Sequence, residues 1–114
     1  MAKDFDTIYS NIENNMTKEH ILGVVYVLAH KVKKDIYKEN LFEDVEKSFD
    51  KDLMNIYNES MEALDQYGSK LNDEEQKLLS KIKDRLQELP FSSKTNAERC
   101  GDFWVGCRMG CKWF

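Results

Sequence analysis

The sequence predicts an all-α protein, an antiparallel four-helix bundle over residues 1–89 followed by a C-terminal tail, residues 90–114, that is aromatic and contains glycine and cysteine. In four successive segments apolar residues recur every three or four positions, the spacing that gives a helix one apolar face. The 114 residues include one proline and five glycines, with 41% hydrophobic and 33% charged residues, a balance typical of a soluble helical domain. Short connections between the segments favour antiparallel neighbours around a shared core.

The first two helices are separated by the turn-favouring stretch Asn-Asn-Met-Thr. The first covers about residues 4–14. The second begins after Thr17, a residue type that caps helix N-termini, and is expected to extend to Tyr37. Their apolar stripes are Phe5, Ile8, Tyr9 and Ile12 in the first helix, and Ile21, Val24, Val25, Leu28, Val32 and Ile36 in the second.

The third and fourth helices have clearer ends. The third is expected from about Glu43 to Tyr67, where Gly68 is suited to a helix terminus. The fourth begins at Asn72, which forms an Asn-x-x-Glu capping box with Glu75, and stops at Pro90. Their apolar stripes are Val45, Phe49, Leu53, Ile56, Tyr57, Met61, Leu64 and Tyr67, and then Leu78, Leu79, Ile82, Leu86 and Leu89.

Charge and cysteine content narrow the class of protein. The net charge is −4; from Pro90 onward four basic and two acidic side chains give +2, so residues 1–89 carry −6. An acidic body disfavours nucleic-acid binding, which needs a basic face. No apolar run approaches the roughly 20 residues that span a bilayer, and no apolar signal segment is visible at the N-terminus. We therefore expect a cytoplasmic, partly membrane-associated protein, and a monomer. The odd number of cysteines in a chain without a secretion signal favours reduced thiols over a disulfide framework.

Nothing in the sequence indicates catalysis, a metal or a cofactor. His20 and His30 lie ten residues, almost three turns, apart on one helix, so they do not form a ligand pair. Most carboxylates fall on polar helix faces, and no nucleotide loop or protease motif is present. Cys100, Cys107 and Cys111 lack the paired C-x2-C spacing of zinc sites and have no neighbouring histidine. We therefore predict that the protein is not an enzyme and binds no metal or cofactor.

The C-terminal segment carries the features that indicate a binding function. Five of the 13 aromatic residues lie in residues 91–114, namely Phe91, Phe103, Trp104, Trp113 and Phe114. Aromatic side chains are enriched in binding hot spots and at membrane interfaces. The predicted partner-binding residues are Phe103, Trp104, Arg108, Lys112, Trp113 and Phe114, with Gly101, Gly106 and Gly110 allowing the backbone to bend or pack closely. The segment could equally fold back on the bundle, its tryptophans filling a groove between helices.

Two stretches resemble a known family. "KLNDEEQKLLSKIKDRLQEL", residues 70–89, is similar to the last helix of the immunity proteins of class II (pediocin-like and lactococcin A-like) bacteriocins. "FSSKTNAERCGDFWVGCRMGCKWF", residues 91–114, resembles the C-terminal segment of the lactococcin A type. The three cysteines in this segment depart from the family pattern.

The resemblance implies a cytosolic antiparallel four-helix bundle whose C-terminal part sets specificity. Such a protein protects the producing cell by engaging, from inside, the membrane permease of the mannose phosphotransferase system once the bacteriocin has bound it. In this sequence the expectation falls on Phe103, Trp104, Trp113 and Phe114, with Arg108 and Lys112 near lipid headgroups or acidic loops. Deletion of residues 101–114 is then expected to leave a folded protein that no longer protects.

Two other functions remain open from the sequence. A small phage-type inhibitor would bind a host protein through its acidic face, and substitutions of the C-terminal aromatic residues would leave it active. A modified-peptide precursor would join Ser92, Ser93 and Thr95 to the three cysteines through thioethers and release a C-terminal product, although no double-glycine cleavage site precedes that segment.

Overall fold

The computed structural model describes residues 5–34, 36 and 41–114, and the described part is all-helical, without strands. Its five α-helices are α1 (Phe5–Asn15), α2 (Lys18–Val32), α3 (Phe49–Tyr67), α4 (Asp73–Glu88) and α5 (Asn96–Trp113), with one 3-10 turn, Gly68–Lys70, after α3. The predicted all-α class is therefore confirmed. Over the same residues, no helix is long and apolar enough to cross a membrane.

Both predicted N-caps are confirmed. The Thr17 hydroxyl accepts from the His20 N–H at 3.3 Å, and the Thr17 N–H donates to His20 Nδ1 at 3.1 Å. In α4 the Asn72 side chain accepts from the Glu75 N–H at 2.8 Å, and the Glu75 carboxylate accepts from the Asn72 N–H at 3.2 Å. Each pair satisfies backbone donors that the first turn of a helix leaves without partners.

Two predicted helix ends are wrong. The second helix was expected to reach Tyr37, which lies outside the described residues, but α2 ends at Val32 and Lys33 is extended. Ile36 is nevertheless buried, so it continues the apolar spacing without continuing the helix. The third helix was expected from Glu43, but α3 begins at Phe49, after a run of turns.

A left-handed residue lies just before the expected start of the third helix. Phe42 has φ 57°, a conformation that a helix cannot contain and that few residues other than glycine adopt. The Phe42 ring is buried, with its centroid 4.8 Å from that of Phe49 and 5.2 Å from that of Phe103. The residues from 43 to 48 form turns, and the Val45 carbonyl accepts from the Asn96 side chain of α5 at 3.1 Å, so apolar spacing does not determine the backbone there.

The core is organised around α2. Helices α3, α4 and α5 all pack against α2, and α1 packs against α4. Between Ile21 and Ala29 every residue of α2 except Val27 is buried. The stripes predicted from the sequence supply most of the buried residues: Ile8, Ile12, Ile21, Val24, Val25, Leu28, Val32, Ile36, Phe49, Leu53, Ile56, Leu64, Leu78, Leu79, Ile82 and Leu86.

The C-terminal segment forms a fifth helix that lies along α2. Of the two arrangements that the sequence left open for this segment, the structure has the one in which it folds back. Phe103, rather than either tryptophan, is its fully buried aromatic residue. Residues 90–95 connect α4 to α5.

Candidate binding surface on helix α5

Helix α5 begins with a capping motif that the sequence displays. Thr95-Asn96-Ala97-Glu98 has the Thr-x-x-Glu pattern of a capping box. The Thr95 hydroxyl accepts from the Glu98 N–H at 3.2 Å and lies 3.1 Å from the Glu98 carboxylate. Sequence reasoning missed this helix because the three following glycines lower helix propensity, although the capping motif could have identified it.

Glycines bring α5 and α2 into backbone contact. A Cβ at Gly106 would collide with the carbonyl oxygen of His20, and a Cβ at Gly23 would collide with that of Phe103. A Cβ at Gly110 would lie 3.1 Å from that of Val27. The Gly-x-x-x-Gly spacing of Gly106 and Gly110 is one that permits close helix packing. Of the two roles the sequence suggested for these glycines, the structure therefore shows close packing.

A buried ion pair joins the first turns of α2 and α5. Glu19 is 0% exposed, and its carboxylate accepts from Arg99 Nε at 2.8 Å and from the Ser92 N–H at 3.1 Å. The Arg99 guanidinium also donates to Asp50 at 3.1 Å and lies 4.8 Å from the centre of the Phe49 ring. Charged residues are rarely buried, so sequence reasoning gave no signal for Glu19. The pair fixes the register of α5 on α2.

A second polar cluster closes the same end. The Asp102 carboxylate accepts from the Thr17 hydroxyl at 3.2 Å and from Lys94 Nζ at 3.1 Å. It also lies 3.5 Å from His20 Nε2. Because His20 Nδ1 accepts the Thr17 N–H, a neutral His20 carries its proton on Nε2, facing Asp102. His20 is half-buried and links α2 to α5 through Asp102.

One face of α5 remains open to solvent. Trp104 is 44% exposed and Val105 46% exposed, although both belong to an otherwise packed helix. From Gly101 onward the exposed residues recur at helical spacing and form a stripe, here called the α5 surface: Gly101, Trp104, Val105, Arg108, Cys111 and Lys112. Ala97 and the acidic Glu98, at the start of the helix, are exposed on the same side. Within the described part of the chain, neither Arg108 nor Lys112 has an ion-pair partner. The surface therefore combines an indole, an aliphatic side chain and two free cations.

The six predicted partner-binding residues divide into three groups. Trp104, Arg108 and Lys112 lie together on the α5 surface. Trp113 and Phe114 are half-buried at the end of the helix and pack against the core. Phe103 is 0% exposed, with ring centroids 5.6 Å from Tyr26 and 5.3 Å from Trp104, so a partner cannot reach it while α5 is packed.

The three cysteines are free thiols in different surroundings. Burial, with a smaller effect from neighbouring Cys111, raises the pKa of Cys107 to about 12. Burial also raises the pKa of the half-buried Cys100, and a hydrogen bond with Trp104 partly opposes this rise. Cys111 is exposed. In the described ranges no cluster of histidine, cysteine and acidic residues could hold a metal ion.

Comparison with protein-family models, curated proteins and solved structures finds no match to this chain. Its function is therefore inferred from its own residues. Among the surfaces of the described residues, the α5 surface carries the side chains best suited to binding, because tryptophan and arginine are the residue types most enriched in hot spots.

Proposed function

We propose that the protein is a class II bacteriocin immunity protein, which protects its producer by binding the bacteriocin-engaged permease of the mannose phosphotransferase system. The observation that supports this most is the α5 surface, where Trp104 lies one helical turn from Arg108 and two turns from Lys112. This surface belongs to the segment that the family resemblance identifies as setting specificity. In this proposal the protein acts from the cytoplasm as a monomer, partly associated with the membrane, and residues 1–89 form the antiparallel four-helix carrier.

Binding would take place with α5 still packed on α2. Detaching the helix would expose Phe103 and the apolar side of α2 to water and would break the Glu19–Arg99 pair, which is unfavourable mainly through the lost apolar burial. The contact is therefore a docked helix face, with half-buried Trp113 and Phe114 at its rim. Binding only the toxin-engaged permease requires that this face fit that state better than the free permease, because a ligand shifts an equilibrium only through differential affinity.

The packing of α5 favours a binding module over a modified-peptide precursor. In a precursor the C-terminal segment is the product and has no need of a fixed place on the rest of the chain. Here the segment contributes Phe103 to the core, Cys107 is buried, and the Ser92 N–H is bonded to Glu19. Two of these residues, Ser92 and Cys107, are ones that the precursor would have to modify.

The test is a protection assay in a sensitive strain that expresses the protein and is challenged with a panel of class II bacteriocins. We expect Trp104→Ala and the double variant Arg108→Glu/Lys112→Glu each to lower the tolerated bacteriocin concentration at least about tenfold, as for loss of a hot spot.

Matched controls are available on α3 and α4. Met54 is 44% exposed, the same fraction as Trp104, so Met54→Ala controls for loss of an exposed apolar side chain. Lys51 and Lys77 are exposed, and Lys51→Glu/Lys77→Glu changes the net charge as much as the α5 double variant. Both controls should protect fully. Full protection by the α5 variants, or none by the unmodified protein against any bacteriocin of the panel, would exclude the proposal.

A further inference from the structure

We infer that the exposed face of α5 also pairs with the same face of a second copy of the chain, the two helices running antiparallel about a two-fold axis. The occupant is a second copy because this face is complementary to itself in side-chain size and in charge. The inference does not depend on the proposed function. The pairing is weak and covers Trp104, so the monomer remains the form whose α5 surface can bind another protein.

The exposed residues of α5 have the spacing of a helix–helix seam. One set recurs in alternating steps of four and three residues, and a second set lies beside it at intervals of seven, as in helices that pack side by side over several turns. Together they are the α5 surface with Ala97 and Glu98 added, here called the α5 seam. The first set is Ala97, Gly101, Trp104, Arg108 and Cys111, and the second is Glu98, Val105 and Lys112.

An antiparallel pairing centred between Trp104 and Val105 places every member of the seam opposite another member. Long side chains then lie opposite shorter ones of the second copy: Trp104 opposite Val105, Arg108 opposite Gly101, and Lys112 opposite Ala97. A Cβ at Gly101 would have no atom within 4 Å, so the space above this glycine is open to a long side chain. The seam therefore has the self-complementary shape that a two-fold interface requires.

The seam is also complementary to itself in charge. Its acidic member, Glu98, lies near the N-terminus of α5, whereas Arg108 and Lys112 lie near the C-terminus. In the antiparallel register Glu98 is displaced along the axis by about 1.5 Å from Lys112 of the second copy and by about 4.5 Å from its Arg108. Parallel pairing would instead place like charges opposite each other. Charge therefore selects the antiparallel arrangement.

The segment from residue 43 to residue 50 strengthens this difference between the two ends of α5. It lies beside the N-terminal end, where the Val45 carbonyl accepts from the Asn96 side chain at 3.1 Å. The segment contains four acidic side chains, one of them bonded to Arg99, and one lysine. Residues 103–114, by contrast, contain two basic side chains and no acidic one. The antiparallel arrangement thus brings the basic end of each copy to the acidic end of the other.

The other two charged side chains at the N-terminal end of α5 do not change this balance. Lys94 Nζ donates to the Asp102 carboxylate at 3.1 Å, so the pair is neutral as a unit. Within the described part of the chain, Arg108 and Lys112 have no ion-pair partner. They are therefore available to an acidic group on a second copy.

The contact is expected to be weak and reversible. The seam spans roughly 24 Å of a single helix. A contact of one helix per copy falls at the low end of interface areas, below about 1,200 Å², where complexes are transient. We expect a dissociation constant on the order of 10 µM to 1 mM. The monomer then predominates in dilute solution, and the dimer forms where the protein is concentrated.

Sedimentation velocity of the full-length protein between about 10 µM and about 1 mM measures the pairing. We expect the average mass to rise with concentration from the 13.4 kDa of one chain towards twice that value. Glu98→Lys should weaken the dimer at least about tenfold, because it places like charges together. The matched control is Glu74→Lys, an exposed first-turn acid of α4, which packs against α1 and α2; it should change the dissociation constant by less than about twofold.

A mixture of two charge variants distinguishes pairing from misfolding. In Glu98→Lys the charged members of the seam are all basic, and in Arg108→Glu/Lys112→Glu they are all acidic. Neither variant should pair with itself, but an equal mixture should form a mixed dimer, because the charges of the two seams are then opposite. Circular dichroism checks that each variant alone is folded.

A disulfide tests the direction of the two helices. The antiparallel register places residue 98 level with Cys111 of the second copy, so Glu98→Cys treated with diamide should form a covalent dimer that Glu98→Cys/Cys111→Ala does not form. Parallel pairing would instead join Cys111 to Cys111 in the unmodified protein and residue 98 to residue 98 in the double variant. Within one chain these two positions lie about 20 Å apart along α5, too far to bridge.

Four outcomes overturn the inference. They are a mass that stays at one chain up to about 1 mM, equal losses in Glu98→Lys and Glu74→Lys, no mixed dimer of the charge variants, and cross-linking of the unmodified protein as fast as that of Glu98→Cys. Protection in the cell assay by a chain that remains monomeric would exclude only the dimer. A dimer of a chain that protects against no bacteriocin would exclude only the proposed function.

Discussion

Gly23 and Gly106 set the distance between helices α2 and α5. Each faces a backbone carbonyl of the other helix, where any larger residue would force the backbones apart. Glycine in a helix interior costs about 1 kcal/mol relative to alanine, so the close packing must offset that cost at both positions. Gly101 lies in the same helix with nothing near its missing side chain. The chain therefore offers a helical glycine that packs and one that does not.

We expect Gly106→Ala to lower the free energy of unfolding by about 3 kcal/mol or more, because the added methyl group overlaps the His20 carbonyl. Gly101→Ala should raise it by about 0.5–1 kcal/mol through helix propensity alone. Urea unfolding followed by circular dichroism measures both. Equal effects of the two substitutions would show that helix propensity, and not close packing, decides the role of Gly106.

Burial of the Cys107 thiol makes the free energy of unfolding depend on pH in the alkaline range. Burial raises its pKa from 9.0 to about 12, and burial similarly raises the pKa of Tyr26 from 10.0 to about 12. Between those values the unfolded chain binds fewer protons than the folded protein, so the free energy of unfolding falls as pH rises. The stabilising contribution is complete below about pH 9 and is lost as pH approaches 12.

Urea unfolding between pH 8 and pH 11 tests this dependence. Cys107→Ala should reduce the fall in stability, leaving the part that comes from Tyr26, whereas replacing the exposed Cys111 by Ala should retain most of it. A fall of the same size in the unmodified protein and in Cys107→Ala would contradict the assignment.

At the scale of the element, α5 is fixed by the buried pair of Glu19 and Arg99 as well as by apolar packing. Removing one partner of a buried pair strands a charge, which typically costs about 3–5 kcal/mol. We expect a loss of that size in the free energy of unfolding for Arg99→Met. Adding Glu19→Gln to that variant should restore part of the stability, since the neutral amide oxygen can still accept from the Ser92 N–H.

The four proteins of this double-mutant cycle are compared by urea unfolding under one buffer condition. Losses that simply add would mean that Glu19 and Arg99 do not act as a pair. A matched exposed pair, Arg85 and Glu88 on α4, should show coupling of at most about 0.5 kcal/mol.

The elements were predictable where local chemistry decides the structure. Thr17 and Asn72 can be identified as N-caps from the sequence, and the apolar stripes of α1 to α4 supply most of the core. The start of α3 was not predictable, because Val45 has the apolar spacing of the helix but lies in a run of turns, where its carbonyl accepts from Asn96, 51 residues away. Helix α5 was missed because the glycines that weaken a helix in isolation are those that let this one pack.

Part of the candidate site could be predicted from residue type, and part depends on contacts between residues that are distant in the sequence. Trp104, Arg108 and Lys112 were identified from residue type alone, and the structure places them on one face. Residue type could not separate Phe103, which is buried, from Trp104, which is exposed, since that distinction requires knowing which side of α5 faces α2. The burial of Glu19 depends on a partner 80 residues away in the sequence.

At the scale of the whole molecule, α2 is the helix against which three others pack, and α5 covers one of its sides. Deleting residues 90–114 would expose that side and leave Glu19 unpaired in place of its contacts with Arg99 and Ser92. We therefore expect the truncated chain to lose cooperative unfolding and to bind a hydrophobic dye. The sequence-based expectation of a folded remainder concerned the shorter deletion of residues 101–114. Deleting only residues 113–114 should preserve the cooperative transition.

Dye binding and thermal unfolding followed by circular dichroism measure both truncations. A cooperative transition in the chain lacking residues 90–114 would show that α1 to α4 fold independently. Loss of protection on deletion would then report on binding and not on folding. If the larger truncation is unfolded, surface substitutions such as Trp104→Ala are the appropriate way to test protection.

Because α2 is synthesised before α5, the pairing of these two helices also affects the nascent chain during translation. Residues 33–95 separate the two helices, and at about 5–20 residues per second a ribosome takes roughly 3–13 s to make them. During that interval α2, with its almost continuous apolar surface, has emerged without the helix that covers it. The nascent chain must therefore be protected from aggregation for seconds, and slowing translation between these helices should reduce the yield of native protein.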